Sequence, residues 1–265
     1  MDRVCPGPAG GGACGKRRSG MIGIGIRERI LFLVRSLSIQ GSWSYRHMQG
    51  LGYFFVLYPW LRRITGDDFH KVFKRHLTYF NTHPIMASYL FGVSARLDEE
   101  GDHEGSVRAK NTLMGPMGAA GDSLFWGSLR PLVTVSGLCV ALFNPLVGVF
   151  TLLFLHNAIQ LFARWFLFDK GFENAADPLS CFADHDILGY SRKIRSAIAP
   201  PAGFLLGMVA VRTGTPGTVL LLFCVPLSLY LMGRKTLTVW AVVAFISLIL
   251  GVLGLRMELP WFLPR

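Results

Sequence analysis

The sequence predicts an all-α integral membrane protein: several transmembrane helices, re-entrant half-helices, and amphipathic helices lying in the interface. Three observations carry this. Only 16% of the 265 residues are charged, against about 25% in ordinary soluble domains, and the mean hydropathy is +0.41. From Arg130 to Arg164 no charged residue intervenes, and three further uncharged runs close the chain. A soluble chain could bury many of these residues but has no need of uncharged runs of membrane length. The formal net charge of +11 suits cytoplasmic loops that face anionic lipid. Its basic residues are scattered between apolar segments rather than gathered into one stripe, which argues against nucleic-acid binding.

Residues 1–20 are low in complexity and rich in glycine, and are read as a disordered extension. No apolar core of signal-peptide length follows Lys16-Arg17-Arg18. Residues 21–265 are read as one membrane domain with three parts: 21–80, interfacial helices and a first apolar helix; 81–168, re-entrant and core segments; 196–255, C-terminal spans. From Arg27 to Ile39, Ile30, Leu33, Val34 and Leu37 recur at helical spacing, predicting an amphipathic helix on the membrane surface. Gly41 to Trp60 is rich in aromatic residues but interrupted by Arg46, His47 and Gln49. It reads as a helix buried in a bundle. Asp67 to Phe80 predicts a second amphipathic helix, capped by Asp67 or Asp68.

The apolar part of residues 81–100 is Pro84 to Ala95, too short to span alone, and is expected to be a re-entrant half-helix. Asp98 to Glu104 reads as a solvated acidic loop. Residues 111–131, NTLMGPMGAAGDSLFWGSLRP, combine Gly115, Gly118, Gly121 and Gly127 with Pro116, Pro131 and the isolated carboxylate of Asp122. Such backbone is expected to break, and to lie at membrane depth only where protein or a water-filled cavity receives its polar groups. Leu132 to Phe168 forms one tilted span or two limbs broken at Asn144-Pro145, with His156, Asn157, Gln160 and Arg164 at roughly helical spacing. The last runs are Ser196–Val211, Thr213–Gly233 and Thr236–Leu255. Basic clusters at Arg192, Lys193, Arg195 and at Arg234-Lys235 place three crossings that end outside.

Cys5, Cys14, Cys139, Cys181 and Cys224 show no pairing pattern. Cys181, Asp184, His185 and Asp186 are ligand types without a recognised metal spacing. No cofactor and no metal is expected.

Three ordered motifs across about a hundred residues carry a resemblance: RSLSIQGSWSYRHMQGLGYFF at 35–55, KRHLTYFNTHP at 74–84 and LMGPMGAAGDSLFWGSLRP at 113–131. The chain resembles the IID component of the mannose/fructose/sorbose family of the bacterial sugar phosphotransferase system. Ser44 stands where the family has Asn, His83 where it commonly has Gln, and beyond Lys170 the resemblance thins to hydrophobicity and length.

The resemblance implies a multi-pass subunit of the bacterial inner membrane with a cytoplasmic N-terminus. It would pair with a homologous IIC subunit in inverted orientation, and such pairs would gather into a higher oligomer. The pair would carry a hexose inward while IIB, charged by IIA, phosphorylates it, so no catalytic residue is expected here. A sugar offers hydroxyls and one apolar face, which calls for carboxamides, carboxylates and an aromatic ring. Within the motifs Gln40, Trp43, Gln49, Asn81, Asp122 and Trp126 have that chemistry. Gly115, Pro116, Gly118, Gly121 and Arg130 are expected to shape the re-entrant backbone. Structural roles stand beside these: Gln49 satisfying buried backbone, Asp122 capping a half-helix or pairing with Arg130. The alternatives are a non-transporting scaffold or regulator of the same fold, and an unrelated membrane enzyme using Asp122 with His156 or His83.

Overall fold

The computed structural model describes residues 24–65, 69–179 and 186–213, and within these the regular elements are helical. They are α1 (Ile26–Ser36), α2 (Gly50–Thr65), α3 (Phe69–His76), α4 (Ala87–Glu99), α5 (His103–Gly121), a π-helical segment (Asp122–Leu129), α6 (Arg130–Ala141), α7 (Pro145–Glu173), α8 (Ile187–Ser196) and α9 (Ala199–Thr213). Helix α4 is the hub, packed against α2, α5 and α7 with every residue but Arg96 and Glu99 buried. A thirteen-residue helix enclosed in this way has its backbone satisfied internally and its sides covered by protein.

Two glycines permit the α4–α7 crossing. A Cβ at Gly92 would overlap the carbonyl oxygen of Phe168 and lie 2.6 Å from the Phe172 nitrogen; one at Gly171 would overlap the Tyr89 carbonyl. Small residues of this kind let helix backbones approach closely, which is how helices associate where lipid removes the hydrophobic drive. Around the crossing Tyr53 and Trp60 of α2 bury their rings and keep their polar tips paired. Tyr53 donates to the Leu90 carbonyl at 3.1 Å and lies 2.6 Å from Ser94 Oγ, while Trp60 Nε1 donates to Ala95 O at 3.0 Å. The buried-helix reading of residues 41–60 therefore holds for its second half. Residues 37–49 instead form turns, pinned by a bridge between Met48 and Phe80.

Two expectations are corrected here. The glycine-rich stretch at 111–131 does not break: His103 to Ala141 is helical throughout. Glycine lowers helix propensity by about 1 kcal/mol without forbidding the helix, and Pro116 removes a single donor. The disturbance is absorbed as a π-helical widening. Its freed Ser123 carbonyl accepts from Ser128 Oγ and from Ser191 Oγ of α8, each at 2.8 Å. Asp122, with φ −59° and ψ −44°, continues this helix rather than capping a half-helix.

The second correction is Asp98. The acidic loop was expected in water, but α4 runs to Glu99 and Asp98 is 3% exposed. Its oxygens lie 2.9 Å from His76 Nε2, 2.8 Å from His103 Nδ1, 3.1 Å from Ser106 Oγ and 3.5 Å from Arg75 Nη1. Burial pushes the His76 imidazole below its usual range. Burial alone would raise the Asp98 carboxyl, but His76, His103 and Arg75 outweigh it and hold Asp98 low.

Asn144-Pro145 is the predicted break point. Asn144 caps α7, its Oδ1 accepting from the Leu146 and Val147 amides at 3.0 and 3.2 Å. Pro200 and Pro201 open α9 rather than kinking it. The outer faces are apolar. On α1 Ile30 and Val34 point outward, as does Leu37 just after it, while the Phe32 ring packs tilted against Phe168 with centroids 4.5 Å apart. On α7, Phe150, Phe154 and Phe162 are more than 70% exposed. Among the described residues His103–Ala141 and Pro145–Glu173 are long and apolar enough to cross a membrane, and they are mostly uncovered, unlike core helices of a soluble domain. The caps proposed at Asp67 and Asp68, the run at 213–233 beyond Thr213 and the run at 236–255 lie outside the described residues.

Candidate functional site

The three motifs meet at a cleft of about 380 Å³, within the range of small-molecule sites. Leu37 and Gln40 reach it from the turn after α1, His83 to Ile85 from the loop before α4, Phe125, Trp126 and Leu129 from the π-helical segment, Arg130 and Val133 from α6, and His156, Ile159, Gln160 and Arg164 from α7. His83 forms its floor. The ring stacks on Phe125, with centroids 5.1 Å apart and planes within 15°, and meets Trp126 edge-on at 5.0 Å. Its Nδ1 accepts from the Ile85 amide at 3.3 Å. Its Nε2 has no hydrogen-bond partner among the described residues, although the residue is only 2% exposed. Gly121 makes room for it, because a Cβ there would overlap His83 and come within 2.6 Å of Met86 Cγ.

On the opposite wall α7 presents polar groups one turn apart. His156 Nε2 lies 2.6 Å from Gln160 Nε2, and Arg164 Nη1 donates to Ser36 O at 3.0 Å and Pro84 O at 2.9 Å. Arg164 thereby ties α1, the His83 loop and α7 together. Asn157, which shares their spacing, turns outward and donates back to Leu153 O at 2.7 Å. The cleft thus combines amide, imidazole and guanidinium donors with the half-exposed indole of Trp126, and among the described residues no carboxylate lines it.

The predicted site residues separate into two groups. Gln40, Trp126 and Arg130 line the cleft, and Gly121 supports it. Trp43 packs edge-on against Tyr45 at 4.9 Å outside it, and Asn81 and Asp122 are exposed elsewhere. Asp122 and Arg130 form no ion pair. Gln49 takes the structural role weighed for it: buried, with Nε2 donating to Thr82 O at 2.9 Å and Oε1 accepting from Thr82 N at 3.3 Å. Gly115 faces open space with Pro116 exposed beside it, and Gly118 makes ordinary contact with Thr82. The spacing of His156, Gln160 and Arg164 signalled one face. The sequence carried no sign that this face meets His83 and Trp126, whose partners lie far along the chain.

A family model, that of the mannose/fructose/sorbose family IID component of the phosphotransferase system (PTS), matches residues 26–210. The chain belongs to this family. Among curated relatives, the fructose permease IID component of Bacillus subtilis (strain 168) is 30% identical over 169 residues, 61% of this chain and 62% of that one. The PTS system mannose-specific EIID component of Escherichia coli (strain K12) is 32% identical over 153 residues, 54% of each. The matches thus span about half to three-fifths of these IID relatives.

Among solved structures, a chain of the mannose transporter ManYZ in complex with microcin E492 aligns with TM-score 0.55 at 24% identity. The alignment covers 89% of this chain and 98% of that one. A further chain, described as a membrane protein, gives TM-score 0.65 at 24% identity over 87% and 96% of the two chains. At this identity the likeness concerns the fold. Its IID family and the two long apolar helices among its described residues identify this chain as a membrane protein.

Proposed function

We propose that this IID-family chain is a non-catalytic, multi-pass subunit of a sugar phosphotransferase transporter in the bacterial inner membrane. With a homologous IIC subunit it forms the pathway for a mannose-type hexose, which IIB, charged by IIA, phosphorylates during uptake. The IIC–IID pairs gather into a higher oligomer. Residues 21–265 form the membrane domain behind an N-terminal extension on the cytoplasmic side, and the enclosed α4 is the re-entrant element. One observation carries this reading: the three motifs shared with the family converge on a single cleft through Gln40, His83 and Trp126. Gln40 and Gln160 suit sugar hydroxyls, and the Trp126 indole suits an apolar sugar face. The chain's part is positioning and access, not covalent chemistry.

The test is co-expression with the cognate IIC, IIA and IIB proteins in a strain lacking its own hexose systems. The expected result is a detergent-stable IIC–IID complex and uptake of radiolabelled hexose that requires this chain. Uptake undiminished when the chain is deleted rejects the proposal. An intact complex without hexose binding by calorimetry identifies a scaffold instead.

A further inference from the structure

Among the described residues, the two arginines of the cleft have no counter-charge. Arg164 is buried and Arg130 lines the same cleft, yet the ion pairs formed by the described residues include neither. Arg164 Nε and His83 Nε2 are both buried and have no hydrogen-bond partner among the described residues. Between Glu104 and Asp169 the only acid is Asp122, which the structure places outside the cleft. An unpaired guanidinium in a low-dielectric interior is strongly unfavourable, and intramembrane arginines pair with acids or line water-filled cavities.

Depth narrows the source of the missing charge. At 1.5 Å per residue, Arg130 and His156 lie about 18 Å from the α6–α7 turn, and His156 lies about 20 Å from Asp169 at the far end of the α7 apolar run. Arg130 and His156 therefore stand near the middle of a hydrocarbon layer about 30 Å thick, out of reach of lipid headgroups at either surface, whereas Arg164 lies about 8 Å from Asp169, nearer that end. The rim beside them, formed by Trp126, Leu129, Val133 and Ile159, is apolar. A neutral hexose supplies no charge. An acid on a neighbouring membrane helix meets all of these conditions.

We infer that the arginine-lined end of the cleft receives a carboxylate carried at membrane depth by the partner membrane subunit, so that the site is complete only in the assembled pair. This rests on the transporter reading above. The carboxylate accepts from Arg130 and from the free edge of Arg164, and leaves Gln40, Gln160 and Trp126 to the sugar.

The experiment uses the full chain and its IIC partner in phosphatidylcholine vesicles, with subunit association read by energy transfer between labels. Each Asp and Glu in the partner's spans is changed to its amide, alone and together with Arg130→Gln. At one acid position, each single change is expected to weaken association on the order of a hundredfold, and the double change to recover most of the loss. Arg164→Gln, which also removes the ties to Ser36 and Pro84, should couple to the same acid. Additive effects at every partner position in a pair that still assembles overturn this inference and leave the transport reading standing. So does coupling of Arg130 to Glu258 or Asp184 of this chain, or a Arg130→Gln variant that associates normally. Failure to assemble at all overturns both. Restored association only when phosphatidylglycerol is added assigns the charge to lipid and also overturns it.

Discussion

The α4–α7 crossing yields a prediction whose sign is decided by geometry. In a helix interior, glycine to alanine normally stabilises by about 0.5–1 kcal/mol, because alanine loses less backbone freedom on folding. Gly118→Ala should show that gain: it lies in α5 with no proline following it, and the Cβ it would acquire makes only ordinary contact with Thr82, at 3.6 Å. Gly92→Ala is the same chemical change in α4, but the new methyl would overlap the Phe168 carbonyl, lie 2.6 Å from the Phe172 nitrogen and 3.0 Å from the Gly171 carbonyl carbon. All three obstacles are backbone, so no rotamer relieves them, and α4 and α7 must separate. Overpacking of this kind costs about 1–3 kcal/mol, more than the propensity gain. Thermal unfolding of the purified complex in detergent, followed by tryptophan fluorescence, should therefore place Gly92→Ala roughly 1–8 °C below wild type and Gly118→Ala about 1–4 °C above it. A Gly92→Ala protein as stable as Gly118→Ala would refute the close crossing and with it the placement of α7 against the hub.

Two further outcomes follow from the buried polar groups. His76 and Asp98 are both held below their ordinary values of 6.5 and 3.8. For groups with depressed folded-state values, the linked stability is complete above the unfolded value and is lost as pH falls. Unfolding temperature should decline first as pH drops below about 6.5 and again below about 3.8, and Asp98→Asn should flatten the second decline in a pH series. Gln49→Leu leaves the buried amide and carbonyl of Thr82 without their partner, a cost of about 1–3 kcal/mol. It should lower the unfolding temperature without changing the hexose KM of whatever complex remains folded; a selective KM increase would return Gln49 to the sugar site.

The helical class, the Asn144-Pro145 break and the shared face of His156, Gln160 and Arg164 were legible in the sequence. Each is a local matter of periodicity, uncharged length or capping chemistry, written within a turn or two of chain. The residue types of the cleft were legible as well, since Gln40, Trp126 and Arg130 stand in recognisable motifs. Their grouping was not. Gln49 and Gln40 are equal as carboxamides, and only packing against Thr82 withdraws one from the cleft while the other remains on its rim. Asp98 looks like any acid in a charged loop until α3 and α5 close over it with His76 and Ser106. The glycines of 111–131 suggested a broken backbone because glycine permits one. The tertiary structure used Gly121 instead to seat His83 against a continuous helix, and the serines of α8 to hold the π-helical register. Sequence by itself determined which segments are helical and apolar, since those preferences act between neighbours in the chain. Which polar groups are satisfied and which are left facing a cleft was decided by contacts between distant segments, and that division is what makes the site.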